Sequence, residues 1–328
     1  YSDQFHRLAV MPKFLKFLKN VVPLGLGLYL VYFSFANTSD EDRTQIITAI
    51  KQADLRFIFL SLLFGVFSHL SRAYRWNYLL RPLNYQPTFM MRALTVMISY
   101  FSNLGIPRSG EVLRATALAT YADVPFEKSF GTIVTERIID VIMLFSLIGL
   151  GFVLQGELLL EVISNPSLDG MLLVSIAFAA MVFFLGIRKL KHSKHTVAVK
   201  ITGFFTGLWQ GILSIRQMKH KWAFVGHTLF IWLMYLMMFW VVTLALPETS
   251  GLSFSAIIPA FVAGGFAMSA TNGGIGLYPI AVAAVLQAFD ISYTQALAFG
   301  WVMWTGQTVM VVIFGSLSFL LLPVLSKK

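Results

Sequence analysis

The sequence predicts an all-α polytopic membrane protein with about six full spans and two oppositely oriented re-entrant helical hairpins in an inverted repeat. Hydrophobic residues make up 57% of the 328 positions and charged residues only 12%. Several apolar windows approach or exceed the roughly 20 residues that a helix needs to cross a bilayer. Glycine and proline interrupt two of the longest windows, and basic residues are concentrated between particular windows.

The apolar windows follow one another along nearly the whole chain. They fall at about 18–36, 55–80, 88–121, 130–154, 171–187, 222–246, 256–289 and 293–322. Windows 88–121 and 256–289 are too long for one span and too interrupted for a straight helix, so each is predicted to enter and leave the membrane on one side. We interpret residues 1–10 as an expression remnant, 18–36 as an uncleaved first span, and 11–328 as one membrane domain.

Basic residues set the predicted orientation. The stretch 188–221 contains eight lysines and arginines and no acidic residue, which is typical of a cytoplasmic loop. Both termini then lie in the cytoplasm, the acidic segments 40–42 and 157–169 lie outside, and the basic segments agree only if both interrupted windows are hairpins. Apolar residues at helical spacing over 197–215 predict an interfacial helix within the basic loop.

A span, a hairpin and a second span over 55–154 recur over 222–322 with opposite orientation. Inverted repeats with discontinuous helices are typical of secondary transporters, whose binding site lies near the midplane between the repeats. We therefore expect the hairpin tips, at Pro107 and Gly274, to approach each other and enclose a cavity. The predicted lining of this cavity is Arg108, Glu111, Asn103, Asn272 and Tyr278.

The first hairpin tip combines a break in the helix with charge. The break is made by Gly105, Pro107 and Gly110. Arg108, Glu111 and Arg114 follow, roughly along one helical face, and guanidinium groups match phosphate oxygens bidentately. Helix termini at the break also favour an anion. The alternative is that Arg108 and Arg114 snorkel to the cytoplasmic interface. The predicted headgroup-binding set is Arg108, Arg114, Glu111, Asn103, Arg72 and Arg75.

The next span contains a second charge cluster, formed by Glu136, Arg137 and Asp140. Charged groups within a membrane face the protein interior and pair with one another. We expect Glu136 and Asp140 to pair with arginines among Arg72, Arg75, Arg108 and Arg114. A structural ion-pair network and a role in substrate binding or proton coupling both remain open.

The second hairpin tip is uncharged. Its candidate residues are Thr271, Asn272, Gly273, Gly274, Gly276 and Tyr278, with Gln307 of the last span. Glycine permits close backbone approach, and the freed backbone groups offer neutral hydrogen bonds. A mechanical hinge is the alternative for the tip, and a helix–helix hydrogen bond is the alternative for Gln307.

Composition also excludes several classes of function. The chain has no cysteine, which excludes disulfides and thiolate chemistry. No histidine pair lies within a predicted span, so we predict no metal site and no cofactor. No strand precedes Gly273-Gly-Ile-Gly, so it is not a nucleotide-binding loop. The net charge of +10 reflects membrane orientation, and no nucleic-acid partner is expected.

Four motifs resemble a known family. They are Arg72-Ala-Tyr-Arg-Trp-Asn, Asn103-Leu-Gly-Ile-Pro-Arg-Ser-Gly-Glu-Val-Leu-Arg, Thr135-Glu-Arg-Ile-Ile-Asp and Asn272-Gly-Gly-Ile-Gly. Over about 18–322 the chain resembles the flippase-like family that includes the membrane region of lysylphosphatidylglycerol synthases. The resemblance implies a bacterial or archaeal membrane protein that binds a lipid and moves it between leaflets. Relatives are tied to aminoacylated phospholipids, hopanoids and polyprenyl-linked sugars.

Two departures from the family pattern affect the expected activity. Leu277-Tyr-Pro stands where the family often has an acidic residue, which counts against a proton-coupling role there. The chain also ends without the soluble lysine-transferring domain, so we expect it to make no aminoacyl lipid.

The predicted function is that of a lipid flippase or lipid-binding transporter, not an enzyme, for a lipid with an anionic, phosphate-containing headgroup. The expected location is the bacterial cytoplasmic membrane. Expected partners are an anionic phospholipid, an aminoacyl-phospholipid or a polyprenyl-phosphate-linked lipid, with a homo-oligomer or a lipid-modifying partner enzyme left open. The rivals are an accessory lipid-presenting subunit and a membrane-embedded lipid-modifying transferase, for which Glu111, Glu136 and Asp140 are the candidate acid–base groups.

Overall fold

The computed structural model describes residues 40–106, 108–163 and 218–325, together with Tyr29 and Tyr32. Helices form the regular structure of these residues, which confirms the all-α prediction. The first five are α1 Asp40–Gln52, α2 Leu55–Leu80, α3 Phe89–Gly105, α4 Ser109–Tyr121 and α5 Phe126–Ile163. The remaining four are α6 Lys221–Thr243, α7 Phe254–Ala270, α8 Leu277–Leu286 and α9 Tyr293–Leu325.

Among the described residues, three helices are long and apolar enough to cross a membrane: Leu55–Leu83, Lys221–Thr243 and Tyr293–Leu325. They coincide with three of the predicted spans. The predicted span 130–154 falls within α5, which has 38 residues. The predicted spans 18–36 (except Tyr29 and Tyr32) and 171–187, the interfacial helix 197–215 and residues 1–10 lie outside the described residues.

The beginning of α2 is set by Asp54, whose carboxylate accepts a hydrogen bond from the Arg56 backbone amide at 2.9 Å. The Arg56 side chain also donates to this carboxylate, and these hydrogen bonds hold the pKa of Asp54 below its ordinary value. An aspartate at this position satisfies an amide that the first helical turn leaves unpaired.

The first interrupted window forms two helices, α3 and α4, that pack against each other. Arg108 joins them in the left-handed conformation, with φ of 60°. The Asn103 side chain accepts a hydrogen bond from the Gly110 amide at 2.8 Å. A Cβ atom at Gly110 would collide with the Ser99 backbone, so only glycine permits this close approach.

The second interrupted window forms α7, a short turn and α8, and these two helices also pack together. The turn contains three glycines with positive φ: Gly273, Gly274 and Gly276. The Trp304 indole of α9 donates a hydrogen bond to the Gly273 carbonyl at 2.8 Å. This hydrogen bond fixes the tip to the last helix.

The two halves of the chain pack crosswise. α2 packs against α6, α3 packs against α9, and α7 packs against α5. Each interrupted window thus contacts the long helix that ends the other half. Buried apolar side chains of α6 to α9, such as Phe239, Ile257 and Phe299, form the larger core.

The distribution of polarity is the reverse of that in a water-soluble protein. Phe59 is 66% and Leu320 is 70% exposed, whereas Arg75 is 0% exposed. A water-soluble monomer rarely exposes large contiguous apolar surface, and a buried charge requires partners. This arrangement is typical of a protein whose outer surface contacts lipid.

Candidate functional site

The two helix breaks contact each other inside the molecule. The Asn272 side-chain amide of the second break donates a hydrogen bond to the Gly105 carbonyl of the first at 2.9 Å. A Cβ atom at Gly273 would also press against the Leu104 side chain. The approach expected from the sequence is therefore present, although Pro107 lies outside the described residues and the contact is made by its neighbours.

A cavity of about 810 Å³ lies between these breaks, α5 and α9. Its polar lining includes Tyr100, Asn103, Arg108, Glu111, Arg137, Thr271 and Gln307. Its apolar wall includes Ile138, Val141 and Ile142 of α5, and these three side chains are 45%, 49% and 54% exposed. The cavity wall therefore continues into an apolar surface on the outside of α5.

The second break contributes different residues from those predicted. Thr271 and Gly273 line the cavity, but Asn272 and Tyr278 do not. Asn272 is directed to the first break by its hydrogen bond to Gly105. Tyr278 is 4% exposed and its ring packs against Gly264, at a position where a Cβ would be only 2.6 Å from the ring. Both residues stabilise the tip instead of facing the cavity.

Behind the cavity lies a buried ion-pair network. Arg72 contacts Asp140 at 2.8 Å, and Arg114 contacts Glu136 at 2.6 Å. Arg75 lies 3.4 Å from Glu136 and 3.5 Å from Asp140. The expected pairing of both carboxylates with arginines is confirmed. These five side chains together carry one excess positive charge.

The arginines of the network make further contacts inside the protein. The Arg114 guanidinium lies 3.6 Å from the centre of the Trp76 ring, and Trp76 donates to Thr132 at 2.8 Å. Arg75 donates to Thr228 at 2.8 Å. Arg72, Arg75 and Arg114 do not line the cavity, so the structure does not place these three predicted headgroup ligands where a headgroup would contact them.

Arg137 connects the network with the cavity. Its guanidinium lies 3.4 Å from Glu111 and 3.4 Å from Asp140, and the side chain is 40% exposed. Among the described residues, the ion-pair partner of Glu111 is therefore Arg137. The other carboxylate oxygen of Glu111 has no hydrogen-bond partner within the described part of the chain.

Arg108 is the most accessible cation of the cavity wall. It is exposed, and it forms no ion pair with the other described residues. Because Arg108 precedes α4 in a left-handed conformation, it does not follow the helical spacing that would place it on one face with Arg114. The two arginines accordingly have different surroundings.

Sequence reasoning missed Trp304, Tyr100 and the apolar wall of α5. Trp304 and Gln307 are separated by one helical turn, so both belong to one face of α9, and this spacing could have identified Trp304 as a contact of the tip. Tyr100 lines the cavity and its hydroxyl lies 2.9 Å from that of Tyr235; no sequence signal distinguishes it from other membrane tyrosines. No group of three potential metal ligands occurs among the described residues.

Sequence comparisons relate the chain to known membrane proteins. The family model described as the lysylphosphatidylglycerol synthase TM region matches residues 20–315. A UPF0104 membrane protein of Methanocaldococcus jannaschii is 27% identical over 123 residues, which are 36% of this chain and 37% of that protein. A UPF0104 membrane protein of Pyrococcus horikoshii is 30% identical over 126 residues, which are 37% of this chain and 36% of that protein.

The glycosyltransferase AglD of Haloferax volcanii is 26% identical over 145 residues, which are 44% of this chain and 23% of that protein. The matched stretches thus span well under half of each relative. No solved structure matches the chain. Because the family model covers most of its length, the chain belongs to the family defined by the membrane region of lysylphosphatidylglycerol synthases.

Proposed function

We propose that this protein is a lipid transporter that moves a lipid with a phosphate-containing headgroup between leaflets. The observation that carries the proposal is the cavity between the two helix breaks, which has Arg108 and Arg137 on its wall and continues into the apolar surface of α5. Membership of a family described by the membrane region of a lysylphosphatidylglycerol synthase supports a function on membrane lipids.

The charges of the cavity suit an anionic headgroup. Arg108 is exposed, and Arg137 is held by contacts of 3.4 Å, longer than the 2.7–2.9 Å of a strong charged hydrogen bond. A phosphate entering the cavity would replace Glu111 as the partner of Arg137 and also bind Arg108. The buried network behind them would supply positive charge without contacting the lipid.

The acyl or prenyl chains would remain in the bilayer. Ile138, Val141 and Ile142 lie on both the cavity wall and the exposed face of α5. A lipid moving along this face transfers only its headgroup from water into the protein. The desolvation cost is thereby confined to the phosphate and its substituent, which the arginines offset.

Both interrupted windows are proposed to be re-entrant hairpins that enter from opposite sides of the membrane, in an inverted repeat with both termini in the cytoplasm. The crosswise packing of α3 on α9 and of α7 on α5 supports this arrangement, because a two-fold axis in the membrane plane would relate the two contacts. The lipid site then lies between the repeats.

Substitution of Arg108 tests the proposed function. R108N removes the guanidinium, and asparagine tolerates the left-handed backbone of this position. In proteoliposomes with a headgroup-matched fluorescent lipid, R108N should slow transfer roughly tenfold or more, because a charge-assisted hydrogen bond is lost. R56N is the matched control, since Arg56 is exposed and Asp54 is its ion-pair partner among the described residues. Equal transfer by R108N and the wild type would refute the role of Arg108.

A membrane-embedded transferase is the second candidate, favoured by the resemblance to a protein named as a glycosyltransferase. Within the described residues Glu111 is the one carboxylate on the cavity wall, because Glu136 and Asp140 are buried in the network. Mass spectrometry of lipid incubated with the pure protein and activated donors separates the two candidates. A covalent product that is lost in E111Q indicates an enzyme, and unmodified lipid indicates transport.

A further inference from the structure

A second depression lies between α2 and α6 and shares no residue with the cavity. It is a groove of about 590 Å³ whose walls include Phe67, Leu70 and Tyr74 of α2, Phe89 of α3, and Gly226 and Phe230 of α6. The aromatic and leucine side chains of its walls are exposed on their outer sides. The groove therefore opens onto the apolar surface of the molecule.

Two polar side chains of the groove contact each other. The Ser71 hydroxyl lies 2.9 Å from Nδ1 of His227, and the His227 ring stacks on Tyr74 with ring centres 4.9 Å apart. Apart from these groups and the Tyr74 hydroxyl, the side chains of the lining are apolar. A hydrocarbon chain therefore fits the groove.

An uncompensated cation lies beside this groove. Arg92 follows Phe89 by one turn of α3, is 5% exposed, and its Nε and Nη1 have no hydrogen-bond partner among the described residues. Within the described part of the chain, Arg92 lies near a second cation, Arg81, and near Tyr74 of the groove wall. A buried guanidinium without a partner is costly. An anion bound at Arg92 and Arg81 would remove that cost.

We propose that the groove binds one anionic phospholipid, with its phosphate on Arg92 and Arg81 and one acyl chain between α2 and α6. Guanidinium groups bind phosphate oxygens bidentately, and basic pockets between transmembrane helices on the cytoplasmic side bind anionic headgroups. On the predicted orientation this end of α2 is cytoplasmic, so the lipid comes from the inner leaflet. The proposal does not depend on transport through the cavity.

Two substitutions test the two ends of the site, the phosphate end and the acyl-chain end. R92Q removes the positive charge of Arg92 at the phosphate end. G226L fills the groove, and it does so without a collision because a Cβ at Gly226 meets nothing within 4 Å. G149L is the matched control, since Gly149 of α5 also has open space at its Cβ but lies outside the groove. R108N controls for lipid bound in the cavity.

Native mass spectrometry of the full chain, titrated with phosphatidylglycerol or zwitterionic phosphatidylcholine in detergent, reads out the bound lipid. We expect the groove-bound phosphatidylglycerol to bind about tenfold more weakly in R92Q and in G226L, and to be retained in G149L. R108N should weaken only the lipid that binds in the cavity. If R92Q fails to fold, G226L decides the outcome. Wild-type binding by both R92Q and G226L overturns the proposal, as does equal binding of the two lipids. Displacement of the lipid by inorganic phosphate alone, with wild-type binding by G226L, also overturns it and indicates a free-anion site.

Discussion

Arg114 and Glu136 show what a charge inside this protein requires. Both side chains are almost fully buried, and they contact each other at 2.6 Å. Arg114 also stacks on Trp76, and Glu136 has Arg75 as a second partner. Burial of each charge is tolerated because every carboxylate of the network contacts at least one guanidinium.

Loss of Arg114 should therefore destabilise the fold more than it changes lipid contacts. R114M leaves Glu136 with only the longer contact to Arg75, so we expect the free energy of unfolding to fall by about 3 kcal/mol. Chemical unfolding in detergent measures this change. R114M/E136Q should lose less than the sum of the single variants, because the two residues are coupled. R56M, which breaks an exposed pair, should have little effect.

For individual residues, the sequence predicted that Glu136 and Asp140 pair with arginines. It did not predict which arginine faces the cavity. Arg108 and Arg114 have the same chemistry and lie close together in the chain. Their environments differ because Arg108 ends a helix break with positive φ, whereas Arg114 lies within α4 against Trp76. A tertiary contact such as the ring of Trp76 leaves no periodic signal in the sequence.

The helix breaks are the elements on which the candidate site depends. α3 and α4 approach closely because Gly110 has no side chain, and Asn103 accepts a hydrogen bond from its amide. The positions of both breaks follow from glycine, proline and asparagine in the sequence. The crosswise contacts of α3 with α9 and of α7 with α5 could not be predicted, because uniformly apolar helix faces do not specify their partners.

Two glycines of the first break provide a matched test of this packing. G110A should lower the free energy of unfolding by about 1–3 kcal/mol, since the new Cβ collides with the Ser99 backbone and forces the helices apart. G105A adds the same methyl group where nothing lies within 4 Å, so we expect no loss. Denaturant unfolding in detergent compares them, and equal stability of the two variants would contradict the role assigned to Gly110.

Across the whole molecule, charged side chains are buried and apolar side chains are exposed because the surrounding solvent is lipid. Phe59 and Leu320 lose nothing by exposure to lipid, because acyl chains are as apolar as the side chains themselves. Arg75 and Glu136 are enclosed at 0% exposure, because lipid offers them no hydrogen bonds. Composition therefore predicted the class of fold directly, whereas the arrangement of helices had to come from the structure.

The topology of the whole molecule depends on the prediction that the two hairpins enter the membrane from opposite sides. The chain has no cysteine, so single cysteines can report the side of each loop through a membrane-impermeant maleimide in sealed vesicles of known orientation. Q86C and E127C flank the first hairpin at exposed positions, and S250C and S292C flank the second. If both hairpins are re-entrant, Q86C and E127C should react only from the cytoplasmic side, and S250C and S292C only from the outside. Lysed vesicles, in which all four should react, provide the control. Reaction of one pair from opposite sides would make that window a full span, and the two breaks could then no longer be related by a two-fold axis in the membrane plane.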